Sequence, residues 1–150
     1  MPVRGRLTAT ATSAIALLAL TGCERPAPIV TVTSGGDSVH KAADVYCFEE
    51  QSGDECAERA EGVTTLEVSP GQQVGVDVDK DVAERGWYIE LAARDGQGQP
   101  QRSDVQDDHY FAFTLQGIGE EGLVLSVKAL PEEGSEDEES GLWTFELQPS

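Results

Sequence analysis

Basic residues are scarce in this chain. Ten lysines and arginines stand against 28 aspartates and glutamates, a formal charge of −18 over 150 residues. A surface of that sign repels polyanions, so nucleic-acid binding is set aside, and cations or basic proteins are the partners it attracts. Histidine is scarcer still, with only His40 and His109. A nucleophilic enzyme needs a nucleophile, a base and an orienting group within hydrogen-bond reach. Neither histidine lies in a motif of the GxSxG kind, and both read as surface or capping residues. No Gly-rich stretch fits a phosphate cradle, because "DGQGQPQ" leads into proline and not into a helix. No apolar run reaches the roughly 20 residues that span a bilayer. No long amphipathic helix and no repeat is visible. The length suits one domain. No enzyme activity and no cofactor are expected.

Present instead is a patterned N-terminal sequence. Arg4 and Arg6 precede the apolar run from Ala14 to Leu20, and Leu20-Thr21-Gly22-Cys23 follows. A charged head, a short greasy middle and a small-residue exit read as a secretory signal. Gly5 separates the arginines, so the tandem pair of the folded-protein export route is missing. An aliphatic residue, two small residues and a cysteine resemble a bacterial lipobox. A peptidase groove needs small side chains beside the bond it cuts, and only sulfur forms the diacylglyceryl thioether. Cleavage before Cys23 is therefore expected, with lipid on that cysteine and the protein on the extracytoplasmic face of the cell membrane. Two or more acyl chains anchor firmly, at about 0.8 kcal/mol per buried methylene. Loss of residues 1–22 removes two arginines and no acid, leaving 8 basic and 28 acidic residues and a charge of −20. Residues 23–28 read as a tether held extended by Pro26 and Pro28, no more than roughly 17 Å from Glu24 to Pro28.

Cys47 and Cys56 remain as an even pair. Oxidising surroundings make a disulfide between them the default. With Cys23 lipidated and these two bridged, too few soft ligands remain for zinc.

The rest, 29–150, reads as one all-β domain. "IVTVTSGGDSV" is an N-terminal hairpin, with Gly35-Gly36 supplying positive φ. From Gly62 onward, period-two alternation recurs. Val74, Val76 and Val78 share a face, as do Trp87, Ile89 and Leu91, with Tyr88 and Glu90 outward. Phe111, Phe113 and Leu115 share another, then Leu123, Leu125 and Val127, then Trp143, Phe145 and Leu147. Such alternation at this spacing predicts an antiparallel sandwich or barrel. "DVAERG" predicts one helical turn with Asp81 as cap and Gly86 as stop. "LEVSPGQQVGVDV" resembles the opening hairpin of immunoglobulin-like domains, and Trp87 begins the next strand. An immunoglobulin-like sandwich is thus expected, without the inter-sheet disulfide of antibody domains. Cys47 and Cys56 precede the sandwich strands and are expected to staple something else.

The arrangement also resembles a family of uncharacterised lipoproteins of high-GC Gram-positive bacteria, catalogued as a domain of unknown function. The lipobox, "VTVTSGGDSV", Tyr46-Cys47 with Cys56, "SPGQQVGVDV", "AERGWYIEL" and "LWTFEL" carry the resemblance. It implies an envelope lipoprotein with no assigned activity and supplies no catalytic residues.

Two acidic stretches raise the question of cations. Asp77, Asp79 and Asp81 have the spacing that opens an EF-hand loop, but Val82 stands where that loop needs glycine and Tyr88 where it needs glutamate. The expected role is a strand end and helix cap, with a weak calcium contact as the alternative. The run from Glu132 to Glu139 holds six acids in eight positions and reads as a solvated loop, or as a loose site for cations or a basic partner. The expected function is a lipid-anchored binding or scaffolding module of the cell envelope, contacting the membrane through its anchor and a protein with a basic surface. The alternative is a small-ligand carrier or weak calcium binder with a pocket between hairpin and sandwich. A carrier needs an apolar concavity of several hundred Å³.

Overall fold

The computed structural model describes residues 25–48, 56–58, 62–131 and 139–150. Residues 1–22, Cys23 and most of the acidic run lie outside them. Eleven strands and one short helix are found among the described residues, in two sheets that do not close into a barrel.

The first sheet has the order β2-β1-β6-β9. Strand β1 (Ile29–Ser34) is β-branched at most positions and buries Val30, Val32 and Ser34. Gly35 and Gly36 have φ of 60° and 99°. Two successive positive φ values match the right-handed twist of a hairpin, and β2 (Asp37–Ala42) returns antiparallel. On its other side β1 pairs with β6 (Gln73–Val78), which buries Val74, Val76 and Val78 as the alternation predicts. Strand β9 (Tyr110–Thr114) closes the row. Gly75 of β6 is a steric requirement, since a Cβ there would lie 2.4 Å from the Tyr110 hydroxyl and 2.8 Å from Thr33 Oγ1.

The second sheet is built on β7 (Trp87–Ala93), β10 (Leu123–Ala129) and β11 (Gly141–Pro149). Their inward residues fall in rows: Ile89, Val127 and Trp143, then Leu91, Leu125 and Phe145. They meet the valines of the first sheet in one core. Both tryptophan N–H groups are satisfied by backbone carbonyls, as buried indoles require. Trp87 donates to Asp108 at 2.8 Å and Trp143 to Pro28 at 3.0 Å.

Several expectations need correction. The strands flanking Pro70-Gly71 do not form a hairpin. Strand β5 (Thr64–Val68) runs parallel to β11 in the second sheet, while β6 belongs to the first. The turn therefore carries the chain across the core, because Leu66 and Val68 are buried against one sheet and the β6 valines against the other. The N-cap position of helix α1 (Lys80–Arg85) is Asp79, not Asp81, with no capping bond from its side chain, and the helix ends at Gly86 as predicted. The presumed tether is partly docked: Ala27 and Pro28 are buried, and Pro28 also accepts the N–H of Ala43.

Cys47 and Cys56 are disulfide-bonded. Cys47 follows β3 (Val45–Tyr46) and Cys56 precedes β4 (Ala57–Glu58), which pair with each other, while β3 pairs with the start of β11. The bridge therefore staples an edge of the second sheet. The expectation that it lay outside the sandwich missed this, because the partner strand β11 comes nearly a hundred residues later in the chain.

Strands β3 and β5 occupy the same edge of β11 in succession, leaving a gap at Thr144. Two side chains fill it. Asp44 Oδ2 accepts the Thr144 N–H at 2.7 Å, and Lys41 Nζ donates to the Thr144 carbonyl at 3.2 Å. Lys41 and Asp44 are also paired with each other, and the lysine side chain is only 8% exposed. The pair serves the backbone groups that a neighbouring strand would have served.

Candidate functional site

The opposite side of the molecule is open. Strand β7 is followed by the turn 94–100 and by β8 (Gln101–Arg102), which pairs with β7 for two residues only. Residues 103–109 then cross from the second sheet to the first. They stay tied to β7, with Ser103 N–H on Ile89 O at 3.0 Å and a two-way bond between Trp87 and Gln106. The crossing closes the foot of the cleft between β9 and the β7–β8 edge. Above it, among the described residues, no strand covers the inward face of β9.

The result is a cleft of about 640 Å³, within the range of small-ligand sites. Its walls are Ile89 and Leu91 from β7, Phe111 and Phe113 from β9, and Leu115 and Leu123. The two phenylalanine rings stack with centroids 6.3 Å apart, and Phe111 meets Trp87 edge-on at 6.5 Å. Phe111, Phe113, Leu91 and Leu123 are only partly buried, although they pack on the core. Large apolar side chains left half-exposed in a concavity mark a place where something apolar can be held.

The rim is polar without being acidic. Gln97, Gln99, Gln101 and Gln116 line it, and among the described residues no carboxylate does. In a chain with 28 acids this is a local reversal of surface character. Among the described residues Arg102 is the one ionisable residue of the lining, and its guanidinium is turned to the outer face of the second sheet. There it lies 3.7 Å from the centre of the Tyr88 ring. Tyr88, expected outward, is on that face but is buried to 4% exposure. Arg102, Lys128 and Glu139 cover it: Tyr88 Oη donates to Glu139 Oε1 at 3.3 Å, and Lys128 Nζ bonds the same oxygen at 2.7 Å. Burial first, and then the negative charge of Glu139, push the Tyr88 phenol up. For Lys128 burial opposes the charge, but the hydrogen bond and charge of Glu139, with help from Glu90, outweigh it and raise the ammonium.

Residues 23–137 match the family model described as Protein of unknown function (DUF2771). The chain belongs to that family. No curated protein and no solved structure matches the chain. Every residue lining the cleft falls inside the span matched to the family, whereas β11 lies beyond it.

The other sequence candidates are placed as follows. Asp77, Asp79 and Asp81 are not gathered around a common point. Asp77 pairs in register with Thr31 and Tyr110. Asp79 Oδ2 accepts the Ile29 N–H at 2.8 Å, and Asp81 holds Arg25 at 2.7 Å. Among the described residues no group of three or more histidines, cysteines or acids could hold a metal ion, and no helix is long and apolar enough to cross a membrane. His109 Nδ1 lies 3.3 Å from the Val78 carbonyl and caps the junction of β6 and β9. Cys23 and the run 132–138 fall outside the described residues. The pocket expected between hairpin and sandwich is not where the cleft lies. Phe111 and Phe113 share a face in the sequence as core residues do, but the two-residue β8 is too short to cover them. The uncharged, glutamine-rich stretch Gly96–Gln101 was the available signal.

Proposed function

We propose that this protein is a lipid-anchored, non-catalytic binding module on the extracytoplasmic face of the cell envelope, and that the cleft between β9 and the β7–β8 edge holds its ligand. The single observation that carries the reading is the character of that cleft: apolar walls and an uncharged glutamine rim in a protein otherwise covered with carboxylates. Anchoring rests on the lipobox around Cys23 and on the preceding charged and apolar segments. The buried Trp87 opening β7, and a Pro-Gly turn that crosses between two packed sheets, support an immunoglobulin-like arrangement as the finer description of the fold. The resemblance of the lipobox and of the motifs around it to lipoproteins of high-GC Gram-positive bacteria supports membership of that group.

Two measurements test the proposal. An environment-sensitive naphthalene dye should brighten on binding the protein, and Phe113→Ala should weaken that binding about tenfold. Metabolic labelling with a fatty-acid analogue should mark the native chain and not Cys23→Ser. A dye signal indifferent to Phe113→Ala removes the cleft from the reading. Label retained on the serine variant removes the anchor.

A further inference from the structure

The cleft has a second property, in its backbone. Strand β9 pairs with β6 in an antiparallel ladder in which Leu115 N–H bonds Gln72 O and Val78 N–H bonds His109 O. Narrow, mutually bonded pairs recur at every second residue of such a ladder. The bonded positions are therefore His109, Phe111, Phe113 and Leu115. The N–H and C=O groups of Tyr110, Ala112 and Thr114 point the other way, out of the sheet edge. Among the described residues no strand pairs with that edge.

Edges of this kind are normally blunted by lysine, proline, a bulge or a covering element. The sequence Tyr110-Phe111-Ala112-Phe113-Thr114 has no charge and no proline. A strand laid along it would present every second side chain to the cleft, beside Phe111 and Phe113. Its main chain would meet the outward groups of Tyr110, Ala112 and Thr114. Five residues of strand span about 17 Å.

Charge describes the two ends of such an occupant. Among the described residues the middle of the cleft carries no carboxylate. At its foot the crossing segment exposes Asp104, Asp107 and Asp108, and at its head stand Asp95, Glu120 and Glu121, all exposed and none in an ion pair among the described residues. An apolar stretch with a basic residue at each end complements this pattern. A second copy of the chain does not, because an antiparallel β9–β9 pair would set acidic foot against acidic head.

We propose that the β9 edge is a docking edge for an extended segment of another protein, apolar at alternate positions and basic at both ends, which adds to the first sheet as a further strand. Main-chain pairing supplies affinity and the cleft supplies side-chain selectivity, the division of labour found where peptides extend a sheet. This rests on the reading of the cleft as a binding site and names the class of its ligand.

The test uses the full chain and a panel of nine-residue peptides that alternate valine, isoleucine, leucine or phenylalanine with threonine, with two lysines at each end. Hydrogen exchange is read at single-residue resolution. At millimolar peptide, exchange at Tyr110, Ala112 and Thr114 should slow at least tenfold, and the amides of Phe111 and Phe113, already bonded to β6, should change less. Peptides with glutamate in place of lysine should bind at least tenfold more weakly. Ala112→Pro removes an outward donor at a place where an edge strand tolerates proline, and should weaken peptide binding at least tenfold. Thr114→Pro makes the same test at a second position if the first variant fails to fold. If no member of the panel slows the three amides, or if both proline variants bind peptide as the native chain does, the docking edge is overturned. Dye bound in the cleft and displaced by a fatty acid but by no peptide overturns it in favour of a small amphiphile, and leaves the proposed function standing. Protection of the same amides by raising protein concentration alone overturns it in favour of a second copy. Absence of dye binding as well removes the proposed function together with the edge.

Discussion

The two sides of this molecule treat the same problem differently. On one side, β11 lacks a neighbouring strand at Thr144, and the side chains of Asp44 and Lys41 supply the missing donor and acceptor. On the other, among the described residues, no strand pairs with the outward groups of Tyr110, Ala112 and Thr114. The difference lies in where water can reach. The Lys41 side chain is 8% exposed, and an unsatisfied backbone group there would bear its full desolvation penalty. Tyr110 is 52% exposed, so water can serve the groups at β9 and a partner can displace it. A gap that is buried must be filled by the chain itself, and a gap that is wet can be left for something else.

The comparison can be broken at the closed side first. Asp44→Ala leaves the Thr144 N–H without its acceptor and the Lys41 ammonium without its counter-ion, with the Thr144 carbonyl still bonded to it. A loss of about 2–3 kcal/mol of unfolding free energy is expected from breaking a mostly buried pair, read from urea denaturation. A loss below about 1 kcal/mol would mean that water reaches Thr144 and that the two sides do not differ. Next comes the staple of the β3–β4 edge. Replacing Cys47 and Cys56 together by serine opens a loop of about 10 residues and should cost about 2–3 kcal/mol by chain entropy. Mass spectrometry of a non-reduced digest of the native chain should show the linked peptides. At the open side Ala112→Pro should cost less than about 1 kcal/mol, because its N–H leaves the sheet toward solvent. The ratio between Asp44→Ala and Ala112→Pro is the quantitative form of the comparison.

How much of this was legible in the sequence depends on chain separation. The alternation of Val74, Val76 and Val78, or of Trp143, Phe145 and Leu147, is a local signal; burial alternates along β11 through Gln148, and in β6 it departs only at Gly75, which is buried as well. The hairpin at Gly35-Gly36 is equally local. The parallel pairing of β5 with β11 is not, because nothing in "VTTLEV" states which distant strand it will join. The pairing of β3 with β11 is hidden in the same way, and so the disulfide was set outside the fold it staples. The cleft was missed for a related reason. Phe111 and Phe113 carry the pattern of core residues, and what exposes them is the shortness of β8, a two-residue strand. Tyr88 failed in the opposite sense. Its outward parity was read correctly, but its cover comes from Arg102, Lys128 and Glu139, three residues scattered along the chain.

That cover bears on the open side, since stacking on Tyr88 turns the Arg102 guanidinium away from the cleft and leaves the lining uncharged. The smallest expected effect tests it through titration. Tyr88 and Lys128 both have raised pKa values relative to their ordinary 10.0 and 10.5, and Glu139 contributes to each rise. A raised folded-state pKa means that the folded chain holds its proton after the unfolded chain has lost it. Stability from these groups is therefore fully present below about pH 10 and falls as pH climbs through the folded values. Glu139→Gln removes the charge that raises both. In the variant, ionisation of Tyr88, followed by phenolate absorbance with Tyr88→Phe as the reference, should move to lower pH. The alkaline decline in stability should shrink with it. If the Tyr88 transition stays in place in Glu139→Gln, Glu139 does not sit on that hydroxyl in solution. The cover that keeps Arg102 out of the cleft then rests on stacking alone, and the boundary between the sealed outer face and the open cleft is softer than the geometry implies.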